Sequence, residues 1–215
     1  MQEMQNSYGT VSSPFWETDV YIVGGGPSAL KLDLSFLRGK KVLAINDSAQ
    51  RVLALPVAAD LAVVSLDNNW VRRNREFLNT FQGEKFVALP LETWPDCKGI
   101  PGVTYLKWGY EEGLSAVPSI LNTGGNSGYG AINLAYLKRA RRILLLGFDM
   151  NPVENVLYPQ WIEQFRSATR QLQDSGTKIL NLNVDSSIDA FPKVDIECFK
   201  LSLERKGKIG PGIVL

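Results

Sequence analysis

No histidine occurs anywhere in the 215 residues. That absence removes Ser-His-Asp and Cys-His catalysis and every histidine-bearing metal centre. Cysteine is almost as scarce, with Cys97 and Cys198 alone. Two isolated thiols build neither a disulfide framework nor a zinc site, so a reducing cytoplasm is the expected setting. Charge of one sign is not in excess either. The net charge of +1 carries no signal for nucleic acid or a membrane surface. No apolar run approaches the roughly 20 residues that span a bilayer. The polar start, Met1 to Ser13, lacks the basic-then-apolar layout of a signal peptide. Acid–base work therefore falls to Asp, Glu, Lys, Tyr or Cys. Any metal would be a hard one held by carboxylates and phosphate, with magnesium the natural choice.

What is present begins with Val20-Tyr21-Ile22-Val23-Gly24-Gly25-Gly26-Pro27-Ser28. Four apolar residues end in three glycines, and Pro27 suits the first position of a helix. The expectation is a buried strand, a tight turn and a helix start whose N–H groups and dipole attract phosphate. The spacing Gly24-x-Gly26-x-x-Ala29, with Asp47 about 20 residues on, also fits a dinucleotide fingerprint.

The rest of the chain alternates. Strands are expected at 19–23, 42–45, 61–65, 85–89, 142–146 and 178–182. Helices are expected at 30–37, 49–55, 71–81, 131–139 and 161–173. Residues 90–120 read as a long excursion with a short strand at 103–106, a candidate lid or acceptor surface. Residues 1–16 read as a polar arm pinned by Phe15 and Trp16, and 17–215 as one domain with a mixed tail from 183. Continuous aliphatic strands alternating with helices imply an α/β, Rossmann-like parallel sheet with helices on both faces.

In such a sheet the strand ends share one edge. Gly24–Ser28 follow the first strand, Asn46 and Asp47 the second, Asp67 and Asn68 the third, and Asp149 the aliphatic strand at 142–146. The loop Gly124-Gly125-Asn126-Ser127-Gly128 opens another helix toward the same edge, with Asn126 or Ser127 able to cap it. The set suits a nucleotide: donors for phosphate, amides for base or ribose, carboxylates for ribose hydroxyls or a metal. Each Asp or Asn after a strand is equally a turn former. Arg72-Arg73-Asn74-Arg75 reads as a solvated helix face. Lys138 to Arg142 reads as a complement to a helix dipole. Tyr129, Tyr136 and Trp161 read as packing residues.

Val23 to Leu30, Val-Gly-Gly-Gly-Pro-Ser-Ala-Leu, resembles the Gly-x-Gly-Pro-Ser-Leu opening of a two-branched superfamily. One branch is the DUF115 group, with archaeal 6-hydroxymethylpterin pyrophosphokinase-like proteins. The other is the family 42 sialyltransferases, which use CMP-sialic acid. Ile45-Asn46, Asp67, Asn126-Ser127-Gly128 and Ile143 to Met150 agree in order, and small members of this type occur in phages and prophages. The resemblance implies that Gly26, Ser28, Asn46 and Ser127 hold the nucleotide. It makes Tyr158 the candidate brace for the leaving phosphate, and Asp67 and Asp149 the candidates for base or magnesium. The sialyltransferases' catalytic histidine has no counterpart here.

The expected function is a nucleotide-dependent transferase. It would be glycosyltransferase-like, with a nucleotide or nucleotide-sugar bound at Gly24, Gly25, Gly26, Pro27, Ser28, Asn46, Asp47, Asn126, Ser127 and Gly128. The alternatives are a magnesium-dependent pyrophosphokinase-like enzyme, a non-catalytic nucleotide-binding protein of phage type, and an FAD- or NAD-dependent oxidoreductase. The expected partner is a small-molecule nucleotide, a homo-oligomer stays open, and the location is cytoplasmic, that of the host if phage-encoded.

Overall fold

The computed structural model describes residues 8–55, 59–90, 99–153 and 155–208. Its eight strands are β1 (Asp19–Val23), β2 (Lys41–Ile45), β3 (Asp60–Ser65), β4 (Glu84–Leu89), β5 (Val103–Gly109), β6 (Ile120–Asn122), β7 (Arg142–Leu146) and β8 (Lys178–Asn181). They form one sheet in the order β6-β5-β4-β3-β2-β1-β7-β8. Every pairing is parallel. The α/β Rossmann-like expectation holds. From β1 the chain winds outward to β6, then crosses back to place β7 on the other side of β1. The switch in direction between β1 and β7 opens a crevice at the carboxyl ends of the strands.

Strand alternation divides the core in two. On β1, Val20 and Ile22 face one layer, while Tyr21 and Val23 face the other. The first layer holds α5 (Ser127–Leu137), α6 (Tyr158–Ser167) and α7 (Thr169–Asp174), through residues such as Ile132, Phe165 and Leu172. The second holds α2 (Ser48–Leu53), α3 (Asn68–Arg73), α4 (Arg75–Thr80) and α8 (Ile196–Lys208), through Val52, Trp70, Leu78 and Phe199. Both faces are covered, which is why the strands read as unbroken aliphatic runs.

Five expectations need correction. The helix at 161–173 starts earlier, at Tyr158, and divides at Ala168 into α6 and α7. The helix at 30–37 is instead a four-residue turn, α1 (Pro27–Leu30), and a 3-10 turn over Ser35–Leu37. The alternating Leu-Lys-Leu-Asp-Leu sequence between them cannot hold one helical face. The helix at 71–81 is α3 and α4, broken at Asn74 (φ −106°, ψ 22°). The 90–120 excursion supplies β5 and β6, two further parallel strands, with 91–98 outside the described residues. The tail contains α8, whose Ile196, Phe199 and Leu203 share one face on the second layer.

The arm is built in from Gly9 onward. Gly9 N donates to Tyr105 O, Val11 N to Pro118 O and Trp16 N to Lys138 O. Val11 and Trp16 are buried in the first layer. The Trp16 indole donates to Glu84 at 2.8 Å. Glu84 also receives Lys41 at 2.9 Å and Lys138 at 2.5 Å. Lys138, at the end of α5, is thus a buried structural clamp. Among the described residues no helix is long and apolar enough to cross a membrane.

Candidate functional site

The crevice at the switch point has a volume of about 680 Å³. The turns after β1, β2, β3 and β7 and the start of α5 all reach it. Gly24, Gly25, Gly26 and Pro27 line it, with Asn46 and Asp67. Asn126, Ser127, Gly128 and Tyr158 line it as well, and Asp149 lines it beside Gly26. Sequence positions as far apart as 24 and 158 thus meet at one rim. Two expected site residues do not line it, Ser28 and Asp47.

Ser28 is turned to a partner within the protein. Its N–H donates to Asp149 Oδ1 at 3.1 Å, and its hydroxyl to Asp149 Oδ2 at 2.8 Å. Asn183 Nδ2 donates to Asp149 Oδ1 at 3.1 Å. Asp149 thus ties the glycine turn to the end of β7, occupying the donor expected to meet phosphate. The approach is so close that a Cβ on Gly26 would overlap the Asp149 carboxylate and the Gly147 carbonyl. Gly24 N and Gly26 N are also spent, on Leu146 O and Gly147 O. Among the described residues Gly25 keeps the one N–H of this turn without a partner.

Asp47 is engaged elsewhere too. Its carboxylate accepts the Trp70 indole N–H at 2.6 Å, linking α2 to α3. The acid required by the dinucleotide fingerprint therefore does not face the crevice, and α1 is only four residues long. Both points count against the FAD/NAD alternative.

Two more open donors belong to the second loop. Asn126 caps α5, its Oδ1 accepting Tyr129 N at 2.8 Å, and its carbonyl accepts Gly130 N. The N–H groups of Ser127 and Gly128, the first two of an 11-residue helix, have no partner among the described residues, and both residues border the crevice. The positive end of that dipole lies there as well. Gly125, at φ 78°, has a left-handed backbone that favours glycine, and a Cβ there would lie 3.2 Å from Trp161 Nε1.

Asn46 supplies the opposite polarity. It holds a left-handed backbone, φ 52°, and its Oδ1 is buried without a hydrogen-bond partner among the described residues. An orphaned buried acceptor at a left-handed residue costs stability. Asp67 caps α3, with Oδ1 accepting Trp70 N at 3.0 Å; its other oxygen takes no bond from the described residues.

The magnesium expectation finds little to build on. The described residues assemble no group of three or more acidic or cysteine ligands. Asp149 has both oxygens in hydrogen bonds. No lysine or arginine borders the crevice among the described residues.

Sequence reasoning missed the apolar walls. Trp108, at the end of β5, and Trp161, on α6, both border the crevice. Trp161 read as packing, yet its ring lies 5.5 Å from that of Tyr158 at the rim. Trp108 read as part of the 90–120 excursion, the candidate lid or acceptor surface, because β5 was expected to stop at 106; it lies instead on β5. Tyr129 and Tyr136 do pack against the first layer. Burial pushes the Tyr129 phenol above its ordinary 10.0, and it pairs with Ser167 at 2.8 Å.

No family model matches the chain, and no curated protein matches it. Among solved structures it is similar to the sialyltransferase CstII from Campylobacter jejuni, solved in complex with a substrate analogue, CMP-3FNeuAc. That similarity has a TM-score of 0.49 at 14% identity, over 82% of this chain and 85% of that one.

Proposed function

We propose that the chain is a glycosyltransferase-like, nucleotide-dependent transferase whose donor lies in the switch-point crevice. The observation that carries this reading is that open donors and an orphaned acceptor line the same crevice. The open N-terminus of α5, at Ser127 and Gly128, offers donors for a phosphate, while the orphaned Asn46 Oδ1 accepts from a ribose hydroxyl or base amino group. The apolar walls at Trp108, Trp161 and Leu66 suit a base or sugar ring.

Charge narrows the donor. With no cationic side chain on the described walls, neutralisation rests on backbone N–H groups and one helix dipole. That suits a single phosphate, as in a nucleoside monophosphate sugar, better than the polyphosphate of a magnesium-dependent pyrophosphokinase. In this reading the α5 N–H groups and the Tyr158 hydroxyl stabilise the leaving phosphate. The free oxygen of Asp67 takes the acceptor's proton, the part a histidine would otherwise play. Asp149 is a positioning residue that fixes the glycine turn.

Isothermal titration against CMP, UDP and ATP, each with and without magnesium, tests the proposal. Binding of CMP that is insensitive to magnesium is expected. No heat with any of the three overturns it, and tight binding of ATP only with magnesium transfers the case to the pyrophosphokinase reading. CMP binding with no transfer to any acceptor would leave the non-catalytic alternative.

A further inference from the structure

Four non-glycine residues carry a left-handed backbone among those described: Glu17 at φ 42°, Asn46 at 52°, Arg139 at 57° and Met150 at 51°. Asn46 and Met150 line the crevice. Glu17 and Arg139 line a second cavity, of about 650 Å³. Backbone of this kind gathers where a side chain must be held in one place. The second cavity lies at the opposite edge of the sheet, where the chain enters β1, β7 and β8. Its apolar walls come from Phe15, Pro118, Tyr136 and Leu137.

Arg139 is held at this cavity in an unusual way. It follows α5 at the position where a left-handed residue closes a helix, with Ala140 N returning to Ala135 O. Glycine is the usual occupant there. The arginine instead lays its guanidinium 4.0 Å from the centroid of Phe15. No acceptor from the described residues bonds to it. Arg141 also lines the cavity. Its side chain is 74% exposed and reaches Asp19 Oδ1 only at 3.5 Å. A guanidinium already stacked on an aromatic face loses little freedom on binding and presents paired donors to an oxyanion. Two arginines against the single Glu17 leave the lining one positive charge in excess.

We propose that this second cavity binds a small amphipathic anion, an apolar ring or branched body bearing one carboxylate or phosphate. Arg139 grips the anionic group, Arg141 supports it, and the walls at Phe15 and Tyr136 take the body. The site is separate from the nucleotide crevice and does not depend on that reading.

Protein-observed NMR with phenylacetate, phenyl phosphate and the neutral 2-phenylethanol tests it. Phenylacetate or phenyl phosphate should move the amides of Arg139 to Arg141 and of Gly176 and Thr177, and leave those of Gly24 to Ser28 in place; which anion binds tighter separates carboxylate from phosphate. The alcohol should bind about tenfold more weakly, and Arg139→Gln should weaken the anion about tenfold while leaving the alcohol unchanged. Arg141→Gln should have a smaller effect in the same direction. Silence of the cavity amides at millimolar probe, equal binding of the alcohol, or an Arg139→Gln protein that binds the anion as before would each overturn the proposal.

Discussion

At Asn46 the chain accepts two local costs together. A left-handed backbone disfavours a side chain, and the buried Oδ1 has given up water without a protein donor in return. Such an orphaned acceptor costs about 1–3 kcal/mol. Glycine at this position would relieve both, offset in part by the freedom it adds to the unfolded chain. Asn46→Gly is therefore expected to unfold in urea at the same or a higher midpoint. Its affinity for CMP should fall at least about tenfold, the equivalent of roughly 1.4 kcal/mol, by titration. A loss of stability without a loss of affinity would make Asn46 a structural turn former and nothing more. Asp67 and Asp47 show how far residue types alone lead. Both are acids just after a strand, yet Asp67 borders the crevice while Asp47 binds the Trp70 indole. Sequence places both at one edge; the packing of α3 on α2 decides which one faces the ligand.

Among the elements, the arm, β2, β4 and α5 meet at Glu84. Burial alone would raise its carboxyl above the ordinary 4.5, but hydrogen bonds from Lys138, Lys41 and Trp16 outweigh it and hold the group below that value. A carboxylate depressed in the folded state lends stability that is fully present above its unfolded value and is lost as pH falls through the folded one. Urea unfolding should therefore show a component that fades below about pH 4.5. Glu84→Gln should lack that component. It should also cost about 2 kcal/mol at pH 7, because Lys138 and Lys41 lose their shared anion. A mutant with an unchanged acid limb would mean that the network is not coupled to folding. The elements also show what was readable beforehand. Strands β1 to β4 and β7 were visible because both their faces are buried, which leaves an aliphatic run. β5, only half-buried along much of its length, read only as a short strand at 103–106, and β6, three residues long, left no such run. The face of α8 was written in Ile196, Phe199 and Leu203, but its polar remainder masked it.

Over the whole molecule, the winding order makes the crevice a meeting point of distant segments. The turns after β1, β2 and β3 come from the first third of the chain, while α5, the end of β7 and the start of α6 come from beyond residue 120. Between them lies the long return across the sheet, from β6 at one edge through α5 to β7. A ligand that touches both groups must lose its site when either side of the sheet opens. Its binding energy should then appear in global unfolding rather than in a local loop. At a concentration 100 times its Kd, a nucleotide that binds only the folded chain should add about 2.7 kcal/mol to the unfolding free energy, with the denaturant slope unchanged. Urea curves recorded with and without CMP measure this directly. A shift confined to local protection of the glycine turn, with the global midpoint unmoved at saturating CMP, would show that the nucleotide rests on one wall only. In that case Ser127 and Asn46 do not act on the same molecule, and their shared place in the crevice is not the basis of binding.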